Sequence, residues 1–331
     1  MIKAIQCHTT QSQFEVLTTL DPISDLVTKK EYLFWLDLSD PTVEELAKVG
    51  EELGLHPLAL EDVTTEHQRP KIVQYETFLF LVFYAAYFDL TKQGVETREL
   101  NLFVGENYLI TVHYEEIPEL QEAEQRWKRN RSHIRWGIGP LLYALLDTLV
   151  DQYFPVVDRL VERAEELEEQ IYAAKRYNAD RTFEMLAMKK MLLHMRRVVT
   201  PERDIFNVLT NRDSPRFHEQ SQVYFRDVYD HVTRLAETLD LYRDQMSTMM
   251  DASISVSSHS LNQVMRTLTA ASIILMSGSF ITGIYGMNFN PATSPFNMPE
   301  LNWTFGYFGA LGAIALVVVL LLLYFKRHKW F

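Results

Sequence analysis

Ten residues near the C-terminus, Asp251, Ser255, Ser258, Asn262, Met265, Thr269, Ser272, Met276, Ser279 and Gly283, recur at steps of three and four and so share one helical face. Hydroxyls, an amide and soft thioethers along one face suit a hydrated cation held through its water shell and match lipid poorly. Tight helix packing through small residues would explain the upper half of the face. It gives no reason for Asn262 and Asp251, which extend the face below the apolar run. The spacing therefore predicts a narrow wet channel lined by one helix from each subunit, with Asp251 at its entrance. At the far end stands Tyr285-Gly286-Met287-Asn288. Gly286 permits a positive φ and a tight end to the helix. Asn288 offers a carbonyl oxygen and an amide that several subunits can arrange as a ring. Such a ring suits Mg²⁺, which dehydrates reluctantly and keeps several waters. Zn²⁺ prefers His or Cys, and the face above Asn262 has neither.

The elements that must position this face are two membrane spans. From Thr267 to Asn302 the only charged residue is Glu300, and from Trp303 to Phe325 there is none. The first span runs from about Leu268 to Tyr285; the second, Trp303 to Phe325, is 23 residues long. At 1.5 Å per residue that length crosses a hydrocarbon core of roughly 30 Å with some tilt. Trp303 and Tyr307 mark one interface, and Tyr324, Phe325 and Trp330 the other. The basic tail Lys326 to Lys329 directly abuts the second span and is expected to stay on the cytoplasmic side. Both termini are then cytoplasmic, and the expected location is the inner, cytoplasmic membrane. The first thirty residues lack a basic n-region followed by an apolar run, so no signal peptide is expected. Cys7 is the only cysteine, which excludes an intrachain disulfide. The net charge of −12 argues against nucleic acid as a partner.

The remaining two-thirds of the 331 residues is dense in charge. Tyr32 to Leu38, Phe78 to Phe88 and Asn101 to Tyr114 read as strands, the last a hairpin turned at Gly105-Glu106-Asn107. Between them Asp40-Pro41-Thr42 starts a helix that continues to Gly54. Residues 1–140 thus form an α+β domain. After Pro140 long helices take over. Leu142, Leu145, Leu149, Tyr153, Val156, Leu160, Leu167 and Ile171 mark the first, and Arg181 to Asn211 the second, ended by Asp213-Ser214-Pro215. Residues 141–218 are expected to hold this antiparallel pair. A third helix, 219–285, carries Val228, Val232, Leu235, Leu239, Tyr242, Met246 and Met249 at alternating steps of four and three. Core packing is the favoured reading of that stripe, and a seam between copies of the helix the other. An outer loop at 286–302, the second span at 303–325 and the tail at 326–331 complete the order.

The run Tyr285 to Asn288 between two C-terminal spans, followed by Met298-Pro299-Glu300-Leu301, resembles the signature of the CorA family of divalent-cation channels. The resemblance extends over the chain through HPLALEDV (His56 to Val63), HQRPK (His67 to Lys71), YFRDVYDH (Tyr224 to His231) and the ending YFKRHKW (Tyr324 to Trp330). It implies a homopentameric funnel. Gly286, Met287 and Asn288 form the filter, and Asn262, Met265, Leu268, Met276 and Ser279 line the path. It also implies regulatory Mg²⁺ held by carboxylates between cytoplasmic domains of adjacent subunits. Asp227, in the YFRDVYDH run, and Asp89, at the end of the Phe78 to Phe88 strand, are its ligands by that resemblance. Two departures are present. Nine residues, Phe289 to Asn297, separate Asn288 from Met298, more than the short link typical of the family, and Ser279 stands where the family commonly has Thr.

No nucleotide motif such as GxxxxGK[ST] is present, and no organic cofactor or enzymatic nucleophile, base and orienter is expected. Moving two charges through about 100 mV releases about 4.6 kcal/mol, at about 2.3 kcal/mol each. That sustains a gradient of about three decades, so a passive channel suffices. The reading is uptake of Mg²⁺, with Co²⁺ and Ni²⁺ as further candidates, gated by internal Mg²⁺. A Zn²⁺ transporter of the same architecture and a membrane-anchored structural coiled coil stay open as alternatives.

Overall fold

The computed structural model describes residues 2–17, 27–65, 68–173, 179–210, 217–290, 293–294, 296–328 and 330. The expected helix end at Asn211, the break at Asp213-Ser214-Pro215, His67 of the HQRPK run and Lys329 of the tail lie outside them. The chain divides into two units: residues 1–171 with 180–249, and residues 172–179 with 250–331.

The first unit is built on a seven-stranded sheet. Its strands are β1 (Ile2–His8), β2 (Phe14–Leu17), β3 (Tyr32–Ser39), β4 (Lys71–Gln74), β5 (Leu79–Asp89), β6 (Gly94–Val104) and β7 (Tyr108–His113), in the order β2-β1-β3-β7-β6-β5-β4. Every neighbouring pair is antiparallel except β3 and β7, which run parallel. The first eight residues of β5 are all buried, which accounts for the near-continuous apolar run there. Between β6 and β7 the chain turns where a Cβ on Gly105 would sit 2.1 Å from the Tyr108 ring, so only glycine fits.

Helices cover the sheet. α1 (Val43–Leu53) opens on a reciprocal capping box between Thr42 and Glu45 and closes on Gly54 at φ 60°. α2 (Pro57–Thr64) is capped by His56, whose Nδ1 accepts from the Leu58 N–H. α3 (Glu119–Arg129), α4 (Gly139–Asp151), α5 (Tyr153–Ala173) and α6 (Ala179–Leu209) follow. The stripe expected to mark one helix from Leu142 to Ile171 is split at Gln152 between α4 and α5. α4 is buried over most of its length, so its apolar residues show no break in the period.

α7 (Glu219–Tyr285) is 67 residues long and carries residues of both units. In the first unit Val228, Val232, Leu235, Leu239, Met246 and Met249 are buried. The Tyr242 hydroxyl donates to Glu165 of α5 at 2.8 Å, and Arg196 of α6 meets Asp240 at 2.5 Å. The chain's own α5 and α6 therefore cover this stripe, as core packing requires. In the second unit α7 continues to Tyr285, and α8 (Gly306–Arg327) forms the other apolar helix; both are long and apolar enough to cross a membrane. α8 begins at Gly306, three residues after the Trp303 expected to open the span. Between them the Asn290 carbonyl accepts from the Thr293 N–H at 3.2 Å, the Thr293 hydroxyl at 2.8 Å and the Asn297 amide at 2.9 Å. The longer outer link thus folds onto itself. Pro299–Asn302 form a short 3₁₀ turn preceded by Met298 at φ 44°.

Candidate conduction face and metal centre

Within the second unit, α7 meets α8 through a face of small and apolar residues. Ala270 is buried, and Ile274, Ser277, Gly278, Ile281 and Tyr285 are half-buried. A Cβ on Gly278 would lie 3.9 Å from Ile314 of α8. The polar face lies elsewhere on the same helix. Asp251, Ser255, Ser258, Asn262, Met265, Thr269, Ser272, Met276, Ser279 and Gly283 are all exposed, as is Leu268 beside them. At 100° per residue, Met276 stands about 200° from Ile274, so the polar and α8-facing stripes occupy opposite sides of the cylinder. Ser272 donates its hydroxyl proton to the Leu268 carbonyl at 2.9 Å. Its oxygen lone pairs are then the outward-facing groups, which is the polarity a cation or its hydrating water needs.

Gly286, Met287 and Asn288 follow directly and are exposed. The positive φ that Gly286 permits is not used: among the described residues only Gly54 and Gly137 are glycines with positive φ. The helix instead tapers, with the Gly286 N–H donating to the Thr282 carbonyl at 2.9 Å and the Met287 N–H to the Ile284 carbonyl at 3.2 Å. A Cβ at position 286 would sit 3.3 Å from the Thr282 carbonyl oxygen. Close backbone approach, and not handedness, is what glycine supplies there.

A second constellation lies in the first unit. Ligand atoms of Asp147, Asp227 and His231 all come within 4.8 Å of one another. Asp227 and His231 are four residues apart on α7 and so share a face, and Asp147 reaches them from α4. Asp147 is buried and held by Arg126, whose Nη1 donates to it at 2.6 Å while Nη2 donates to Asp151 at 2.8 Å. Burial raises the Asp147 carboxyl above its usual range and the neighbouring Asp151 charge adds to this, with the Arg126 guanidinium opposing. Burial pushes the Tyr143 phenol up as well, helped by the charges of Asp147 and Asp227. The His231 Nδ1 is buried and lacks a hydrogen-bond partner among the described residues. Two carboxylates and an unpartnered imidazole nitrogen fit a divalent cation that completes its shell with water.

Asp89, the other expected ligand, is not part of this group. It ends β5 and caps the following turn, accepting from the Thr91 N–H at 2.7 Å and the Lys92 N–H at 3.1 Å. Those backbone donors, with Lys92 beside them, hold its carboxyl below the usual range. Asp147 and His231 were missed from sequence. His231 had a signal in its four-residue spacing from Asp227, whereas Asp147 lies 80 residues earlier, in an apolar run that carries none.

A mixed-sheet unit, a helix that runs on into an apolar span, a second span and a polar face on the first define a membrane protein of the cation-transport class. Its relatives agree. YfjQ of Bacillus subtilis, provisionally named a metal ion transporter, is 35% identical over 298 residues, 90% of either chain. The cobalt/magnesium transport protein CorA of Thermotoga maritima is 32% identical over 89% of this chain and 83% of its own. The solved CorA magnesium transporter of Methanocaldococcus jannaschii shares the fold, with a TM-score of 0.80 at 24% identity over 100% of this chain and 99% of that one. The chain belongs to the CorA-like Mg²⁺ transporter protein family, whose model matches residues 30–327.

Proposed function

We propose that the chain assembles, as a pentamer, into a passive channel that admits Mg²⁺ across the cytoplasmic membrane with both termini inside. The observation that carries this reading is the exposed polar stripe on α7, turned away from α8 at Met276, Ser272 and Ser279. A single copy leaves that stripe bare, and an array of the same helix around an axis would enclose it as a wet path. Thr269, Gly283, Asn262, Met265 and Leu268 continue the lining, Asp251 attracts cations at the inner mouth, and Gly286-Met287-Asn288 forms the outer ring.

In this reading the Asp147, Asp227 and His231 group is the regulatory site, with Asp89 of an adjacent copy as a further ligand. When internal Mg²⁺ is high the ion offsets carboxylate repulsion and favours the closed assembly. Shifting a two-state pore from 1:99 to 99:1 takes about 5.5 kcal/mol, which five sites at roughly 1 kcal/mol each would supply. The imidazole in that group gives one specific reason to test Zn²⁺ beside Mg²⁺, Co²⁺ and Ni²⁺.

The test is flux into liposomes holding the purified protein, across that metal series, for wild type and Asn288→Ala. Mg²⁺ should permeate through wild type, and the variant should assemble but lose selective uptake. Wild-type Mg²⁺ flux in the variant would remove the ring from the filter. Zn²⁺ flux unaffected by millimolar Mg²⁺ would favour the zinc reading, and no cation flux at all would favour the anchored coiled coil.

A further inference from the structure

Neither the conduction face nor the metal centre uses Gln68-Arg69-Pro70, the described part of the HQRPK run before Lys71. These residues line a cleft of about 890 Å³ in the first unit, between the β5 and β6 part of the sheet and the α6 segment from His194 to Pro201. Its volume falls in the range of small-molecule pockets, roughly 300–1,000 Å³, and far exceeds what one inorganic ion fills.

The charges in the cleft divide into used and unused. Arg196 is engaged by Asp240 at 2.5 Å. Glu99 is also occupied: the Tyr84 hydroxyl and the Gln68 N–H each donate to one oxygen at 3.0 Å, and the Asn101 amide donates to the other at 3.0 Å. Glu115, the remaining carboxylate, is exposed at the rim, where its charge acts on Arg98. Arg69 and Arg197 have no carboxylate within ion-pair distance among the described residues. The cleft therefore holds two arginines outside any ion pair among the described residues, with the Glu99 and Glu115 carboxylates elsewhere in its lining.

Two neutral groups add to the lining. The Thr200 Oγ1 is buried and has no hydrogen-bond partner among the described residues. Pro201, also in the lining, has no N–H to give to the Arg197 carbonyl one turn earlier, so that carbonyl lacks its usual helical donor. Val63, Pro70 and the Tyr114 ring add apolar surface. Guanidinium forks match phosphoryl oxygens bidentately, and a hydroxyl serves a third oxygen. The free carbonyl suits a ligand hydroxyl, and the apolar wall suits a ring. We propose that this cleft binds an organic phosphate of nucleotide size, its phosphoryl group on Arg69, Arg197 and Thr200 and its ring against Val63, Pro70 and Tyr114.

The test uses the full chain in detergent, in metal-free buffer with chelator, so that the cation sites are silent. AMP, ADP, ATP and inorganic phosphate are titrated separately by calorimetry. At least one nucleotide should bind saturably with Kd below about 1 mM, and Arg69→Ala and Arg197→Ala should each weaken it about tenfold or more. Thr200→Val, which keeps the volume and deletes the donor, should weaken it several-fold and guards against an arginine variant that does not fold. The proposal is overturned by no saturable nucleotide binding, by affinities unchanged in all three variants, or by inorganic phosphate binding as tightly as the nucleotides. Binding is read without membrane or cation, so its failure leaves the transport reading untouched.

Discussion

Phe34, Phe80, Phe83, Phe103, Trp127 and Phe206 in the α+β unit are each less than 2% exposed, whereas Leu275, Met276, Phe280 and Leu316 in the spanning unit are 72%, 71%, 69% and 61% exposed. The first unit closes its own core between sheet and helices and uses its heptad stripe internally. The second leaves both its apolar and its polar surfaces bare around one thin helix contact at Ala270, Ile274 and Gly278. A side chain this apolar contributes about 1.5–3 kcal/mol when buried, so surroundings outside the single chain must supply in the second unit what the fold supplies in the first. The two units also place their polar chemistry differently. The candidate metal group draws Asp147 and Asp227 from different helices, while the polar stripe lies along one.

Breaking each unit should therefore have different consequences. The largest effect is expected from Phe80→Ala, which should cost about 3–5 kcal/mol of stability by chemical denaturation. Phe280→Ala, on the exposed side of a span, should leave that transition in place; similar losses would contradict the contrast. Next, Met276→Asp should change Mg²⁺ flux strongly while the α+β unit melts as in wild type. A polar change at Leu316 should act mainly on insertion, since a charge at mid-span costs about 2.5–3.5 kcal/mol there. Equal flux effects at matched expression would count against the pore face.

A smaller, conditional effect is expected at the metal centre. Asp227→Ala and His231→Ala should each lose Mg²⁺-dependent protection of the α+β unit from proteolysis. They should also conduct at internal Mg²⁺ levels that silence the wild type. Asp227→Lys should hold the pore shut without metal, because its ammonium stands in for the cation. An unchanged inhibition curve in Asp227→Ala would take this residue out of gating.

The smallest effect concerns pH. Burial pulls the His113 imidazole down, but Asp37, with Oδ1 3.4 Å from Nε2, more than offsets this and leaves it above its ordinary 6.5. A folded value above the unfolded one means the pair stabilises fully below that ordinary value, and the gain is lost as pH rises through the raised one. Asp37→Asn should flatten the fall in melting temperature between about pH 6 and 8; an identical slope would exclude the pair as its source.

Period and composition made the spanning unit the more legible half. A charge-free run and a polar stripe at steps of three and four are properties of one helix, so Met276 and Ser279 could be placed on one face, and Asn288 just beyond its end, without knowing what surrounds them. In the α+β unit β3, β5 and β7 were visible as apolar runs. β1, β2 and β4 were not; β2 and β4 are short strands at the sheet's edges, only partly buried and with weak alternation. The two helices α4 and α5 read as one because a helix buried on most sides carries no period to interrupt.

The sequence by itself determined the two apolar spans, the polar face on the first and the heptad stripe below it, since each depends only on spacing along a single helix. The tertiary structure alone decided which residues meet across elements. It brought Asp147 to Asp227 and His231, gave Asp89 to the backbone of its own turn, and placed Arg69 and Arg197, which make no ion pair among the described residues, on the wall of one cleft. The physical reason is range: helical periodicity fixes neighbours three and four residues apart. A ligand set assembled over 80 positions exists only after the sheet and helices have packed.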